Sequence, residues 1–192
     1  KQVTKAMELV AASKMRKAVL NAQLLRRYAL TAWSILERVS GTVKEHEHPF
    51  LAPRVPRRIL VVLFTSDRGL AGSLNAQMFR IAQQYGDLMR ATPEFESIDF
   101  IAVGRKGQQF LARTGQNVIA AFPALSNHPT FKDALPVTRM ALEGFLENKY
   151  DQVTLLYPQF VTALQQLASA QILLPLSRTE MHARIESLTP KM

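Results

Sequence analysis

The chain has 192 residues, with 24 Lys+Arg against 15 Asp+Glu for a formal net charge of +9, and 47% of it is hydrophobic. That balance belongs to a folded protein rather than to a disordered tail, and the length predicts one substantial core or a small domain plus an extended element. The absence of cysteine excludes disulfides, thiolate zinc sites and thiol catalysis. The longest apolar run, Ile59 to Phe64, covers about a third of the ~20 residues a membrane-spanning helix needs. No signal-peptide pattern is read in the opening residues.

The charge is unevenly placed. Residues 1–58 hold 12 Lys+Arg and 4 Asp+Glu, a net of +8, whereas residues 59–192 hold 12 and 11, a net of +1. The long-range field therefore comes from the first segment, and such a field steers association with acidic partners. Nucleic acid, an anionic membrane surface and an acidic protein all fit that description, as does a solvated basic face.

From Lys1 to about Val39 there is neither Pro nor Gly, and Ala, Leu, Lys, Arg, Met and Gln dominate. A single helix over 1–41 is predicted, with Gly41 as a C-cap and Pro49 and Pro53 beyond it opposing continuation. At 1.5 Å per residue it extends roughly 60 Å, longer than the remaining chain could cover as a compact domain. Met15, Ala18, Ala22, Leu25, Ala29, Ala32, Leu36 and Val39 recur at alternating spacings of three and four, the seam of a left-handed coiled coil. Half of these residues are Ala, so a partner backbone can approach closely. Further back the seam drifts to Val3, Met7 and Val10, with Lys14 and Lys17 in places where hydrophobes belong. No second helix of similar length is expected downstream. Lys1 is neither an initiator Met nor a helix cap, and residues 188–192 read as a mid-chain break. The expectation is a fragment lacking its partner helix, with self-dimerisation as the alternative.

Residues 42–57 form a Pro-rich linker. Beyond them, 58–192 is expected to be an α/β globular domain, Rossmann-like, with a mostly parallel sheet and helices on both faces. Strands are placed at 58–65, 97–103, 117–121, 152–157 and 167–174, and helices at 74–89, 106–113 and 131–147. The short connection between the last two strands predicts an antiparallel pair.

The sharpest candidate for chemistry is the loop from Thr65 to Asn75 after the first strand. In doubly wound folds such a loop often binds phosphate at a helix N-terminus. Its Gly69-x-x-Gly72 spacing nevertheless differs from the dinucleotide fingerprint, and no Gly-Lys-Ser/Thr follows. The other reading is a strand–helix turn, with Asp67 accepting backbone N–H groups and Gly69 supplying a positive φ. His46 and His48, flanked by Glu45 and Glu47, lack a third ligand nearby and read as linker. His128 and His182 sit beside Pro or loop residues, and no catalytic constellation is found. Lys5, Lys14, Arg16 and Lys17 form a basic patch without interleaved aromatics, which suits an acidic protein groove better than nucleic acid.

Two stretches together resemble the γ subunit of F-type ATP synthases. They are Thr4-Lys5-Ala6-Met7-Glu8-Leu9-Val10-Ala11-Ala12-Ser13-Lys14-Met15-Arg16-Lys17-Ala18 and Ser66-Asp67-Arg68-Gly69-Leu70 with Gly72 and Asn75. The order of long helix, linker, strand and loop also matches, with Leu173-Leu174-Pro175-Leu176 near the end of the α/β region. The resemblance spans essentially the whole chain.

It implies a rotor shaft in which the N-terminal helix winds against a C-terminal helix inside a ring of three α and three β subunits. The α/β foot would contact the ε subunit and the c-subunit ring, and c-ring rotation would be coupled to conformational change in β. Lys5, Met7, Lys14, Arg16, Lys17 and Arg68 would face β, while Asp67, Gly69, Leu70, Gly72 and Asn75 shape the loop. The chain itself would be non-catalytic, with no cofactor, metal or nucleic acid. It would be peripheral to the membrane on the cytoplasmic side of a bacterial inner membrane, ahead of a mitochondrial one. Ala71 and Ser73 depart from the Cys and Gly that many relatives carry. The alternative is a basic α/β nucleic-acid-binding protein that dimerises through its first helix.

Overall fold

A computed structural model describes residues 2–44, 47–123, 125, 129–162 and 165–189. It divides into two compact units, 1–44 with 177–192 and 45–176.

The first unit is built on α1 (Gln2–Thr42), an uninterrupted helix of 41 residues. Gly41 lies within its last turn rather than ending it as a left-handed cap, so the expected C-cap is corrected. A further helix that the sequence did not suggest, α5 (Arg178–Leu188), belongs to this unit. Its N-cap is Ser177, whose hydroxyl accepts the Glu180 N–H. The domain boundary moves accordingly. Residues 177–192 join the long helix instead of the expected 58–192 foot, and much of the expected linker joins the sheet.

The second unit carries a five-stranded sheet of β1 (Arg58–Phe64), β2 (Ser97–Val103), β3 (Asn117–Phe122), β4 (Gln152–Phe160) and β5 (Gln166–Leu174). The order is β3-β2-β1-β4-β5, with every pair parallel except β4–β5. Central β1 sets Val61 opposite Phe100 on one side and Thr154 on the other. Its apolar run is buried on both faces, as a parallel strand covered by helices requires.

Ile59, Val61 and Leu63 pack towards α2 (Leu74–Arg90) and α3 (Arg105–Arg113) through Met78, Ala82 and Leu111. Leu60 and Val62 face α4 (Phe131–Leu146) through Ala141 and Phe145. The linker is anchored on this second face. The Arg54 guanidinium lies 3.9 Å from the centre of the Phe145 ring and donates to the Phe145 and Tyr150 carbonyls.

Candidate functional site

Two surfaces hold the residues singled out above. On α1, Lys5, Lys14, Arg16 and Lys17 are all exposed; the Met7 side chain lies outside the described residues. Most of the bulky apolar side chains on this helix are also uncovered. Leu25 is 65% exposed, Tyr28 72% and Ile35 56%, and the seam residues Met15, Leu36 and Val39 are exposed as well. A helix that bears large hydrophobes on several sides is stable as a buried element, so this one calls for neighbours.

The short helix α5 covers a different stripe. Arg178 donates to the carbonyls of Ser40 and Val43, and Arg26 donates to the Ser187 carbonyl. His182 Nδ1 lies 3.1 Å from Glu37 Oε1, with Glu186 on its other side at 3.7 Å. These contacts run along Arg26, Glu37 and Ser40, next to the seam from Met15 to Val39 and not along it. His182, placed from sequence only beside Pro or loop residues, lies within α5.

The second surface is the loop after β1. Asn75, in the first turn of α2, reaches back to this loop: its Oδ1 accepts the Ser66 N–H at 3.1 Å and its Nδ2 donates to Ser66 Oγ at 2.8 Å. Ser66 Oγ also donates to the Arg68 carbonyl. Asp67 Oδ1 accepts the Arg105 N–H at 3.0 Å, which ties the loop to the start of α3. Asp67 thus accepts a backbone N–H, but from the start of α3 rather than from its own strand–helix turn. The positive φ, however, falls on Leu70 (62°) and Gly72 (57°) and not on Gly69.

The outcome is a loop held at both ends with its tip turned outward. Arg68 and Gly69 are exposed, and Leu70 is wholly exposed, at 106% of its reference area. A non-glycine residue in the left-handed region costs about 1–2 kcal/mol, and an exposed Leu returns nothing to the fold. Sequence reasoning placed Leu70 among the shape-giving residues and missed Arg105. Only the pairing of β1 with β2 brings the β2–α3 junction beside this loop.

Of the remaining candidates, His46 and His128 lie outside the described residues. His48 Nδ1 accepts the Phe50 N–H at 3.2 Å, an arrangement local to the linker. Among the described residues no helix is long and apolar enough to cross a membrane.

Comparison with known proteins adds the family. A sequence-family model described as ATP synthase matches residues 1–191. The ATP synthase gamma chain of Legionella pneumophila (strain Corby) is 31% identical over 180 residues, covering 94% of this chain and 62% of that protein. The ATP synthase gamma chain of Opitutus terrae is 38% identical over 188 residues, covering 98% and 60%. The chain thus spans about three fifths of the length of these curated relatives. A chain from the central stalk and c-ring structure of Tetrahymena thermophila mitochondrial ATP synthase shares the fold, with a TM-score of 0.63 and 23% identity. The match covers 99% of this chain and 79% of that one.

Proposed function

The chain belongs to the ATP synthase gamma-chain family, and from that premise we propose that it is the central-stalk rotor element of a proton-translocating F-type ATP synthase. The observation that carries this reading is the 41-residue helix whose apolar side chains stand exposed beside an exposed basic patch. Such a rod is suited to a sleeve of other subunits. In this reading three α and three β subunits grip the helix, and the sheet unit meets the ε subunit and the c-ring. The chain contributes no catalytic group and is peripheral to the membrane through the complex.

The mechanism rests on asymmetry. A rotor shifts the open–closed balance of a catalytic subunit only if one orientation contacts one conformation better than another. As the rotor turns, each β subunit meets a different side of α1 and of the loop that bears Arg68 and Leu70. Exposed ion pairs contribute about 0–1 kcal/mol each, so Lys14, Arg16 and Lys17 bias this balance without dominating it. Packing against the exposed apolar side chains and the stiffness of α1 transmit more of the torque. The nucleic-acid alternative has neither a relative nor a geometry in its favour.

The test is ATP-driven rotation of the assembled complex after Lys14, Arg16 and Lys17 are all replaced by Gln. Reduced but persistent rotation is expected. Normal assembly with no rotation at all would contradict this division of labour.

A further inference from the structure

A cleft of about 350 Å³ opens between α4 and the sheet in the second unit. Val62, Val103, Leu155 and Leu173 line it from the strands, and Val137 and Ala141 line it from the helix. Its origin lies in how α4 packs. The C-terminal half of the helix seals the core, with Ala141, Gly144 and Phe145 buried, whereas Ala134, Leu135 and Thr138 in the N-terminal half are exposed. Pro136 falls in that loose half, and its ring nitrogen cannot donate to the preceding turn. Small side chains and an interrupted hydrogen-bond ladder leave the sheet incompletely covered.

The cleft lies at the carboxyl ends of β1 and β2, beside the boundary between the parallel neighbours β1 and β4, from which β2 and β3 are added towards one edge of the sheet and β5 towards the other. Open α/β sheets bind their ligands at such switch points. Its volume falls within the roughly 300–1,000 Å³ usual for small-molecule sites.

The polar groups at its wall are engaged within the protein. Thr65 Oγ1 accepts the Gly107 N–H at 2.8 Å and lies 3.4 Å from the Val103 carbonyl, to which it donates. The Thr138 hydroxyl donates to the Ala134 carbonyl, and the Gly104 N–H donates to the Phe122 carbonyl. At the mouth, Asp133 Oδ2 accepts both the Thr130 hydroxyl, at 2.6 Å, and the Thr130 N–H, at 2.8 Å. Those bonds hold the Asp133 carboxyl below its usual range, so it is ionised at neutral pH and repels anions. A cation would meet one carboxylate and then apolar walls, at a high cost in desolvation.

We propose that this cleft is a binding site for an uncharged lipophilic small molecule, aromatic or short-acyl in character, held by shape and apolar contact. The proposal is independent of the rotor reading, because its test requires no partner subunit.

The test titrates uncharged N-phenyl-1-naphthylamine into the full chain. Saturable, blue-shifted fluorescence and a rise in melting temperature are expected. The anionic dye 1-anilinonaphthalene-8-sulfonate should bind about tenfold more weakly. Val137→Phe, which fills the cleft, should weaken the neutral dye by about tenfold or more. Methyl NMR spectra of the unaltered chain should show dye-induced shifts concentrated at Val62, Val103, Val137, Leu155 and Leu173. This readout serves even if the Phe variant fails to fold. Absence of saturable binding, methyl shifts elsewhere, equal binding of the anionic dye, or undiminished binding by a folded Val137→Phe variant would each overturn the proposal.

Discussion

The Asp67 carboxylate accepts the backbone N–H of Arg105 at 3.0 Å, joining the loop after β1 to the start of α3. Two loops at the carboxyl edge of the sheet are thereby fixed to one another, and the exposed tip at Arg68 and Leu70 is presented on a rigid base. Replacing Asp67 by Ala removes the acceptor and should destabilise the chain by about 1 kcal/mol. Asp67→Asn retains a carbonyl oxygen and should recover most of that loss. Amide exchange at Arg105 provides the check, with faster exchange expected in the Ala variant only.

Gly104 sits next to the same junction. A Cβ there would lie 2.2 Å from the Thr65 carbonyl oxygen, on a backbone with φ of +103°. Neither neighbour can yield, because Thr65 is buried and the clash is with main chain. Gly104→Ala should therefore cost roughly 2–4 kcal/mol, combining overpacking with a strained φ. Thermal unfolding should show this as one of the most damaging single-methyl additions in the sheet unit. Gly115→Ala meets only φ strain at +66°, with no atom within 4 Å, and should cost less.

Leu70 should respond in the opposite sense. Glycine relieves about 1–2 kcal/mol of left-handed strain but adds about 0.5–1 kcal/mol of chain entropy to be lost on folding. Leu70→Gly should thus leave the free chain equally stable or up to about 1.5 kcal/mol more stable. If Leu70 serves a partner subunit, the same variant should bind the hexamer less tightly. Stability and assembly moving in opposite directions is the signature to seek; a loss of both would make Leu70 structural.

Acid sensitivity centres on Asp151. Burial pushes its carboxyl up, but side-chain and backbone hydrogen bonds from Arg58, with charge attraction from Arg58 and Arg54, outweigh this and leave it below its ordinary value. A carboxyl lowered in the folded state stabilises at pH above its unfolded value of about 3.9, and that contribution fades as pH falls through the folded value. Urea unfolding between neutrality and pH 3 should show a decline centred below about pH 4. Asp151→Asn should lower stability at neutral pH and flatten that decline.

Much of this architecture is legible in the residues, for identifiable reasons. The run Ile59–Leu63 can only be a strand buried on both faces, and the Gly and Pro punctuation around it bounds the neighbouring elements. The short connection between β4 and β5 enforces their antiparallel pairing. The helix α5 escaped notice because its apolar period is only three residues long, Met181, Ile185 and Leu188, with Met181 alone fully buried, and polar contacts of Arg178, His182 and the Ser187 carbonyl complete its docking. The positive φ was assigned to Gly69 because glycine is the usual occupant. The structure places it on Leu70, where the Ser66, Asp67 and Asn75 hydrogen bonds override local preference. The basic and apolar residues of α1 were visible as a pattern, but the pattern alone left self-pairing and other partners open.

What α1 is for can be decided by counting copies. Native mass spectrometry of the complex recovered with this chain from membranes of cells that produce it should show one copy of the chain with three α and three β subunits. A chain recovered alone, or only as a pair of itself, would contradict the rotor assignment.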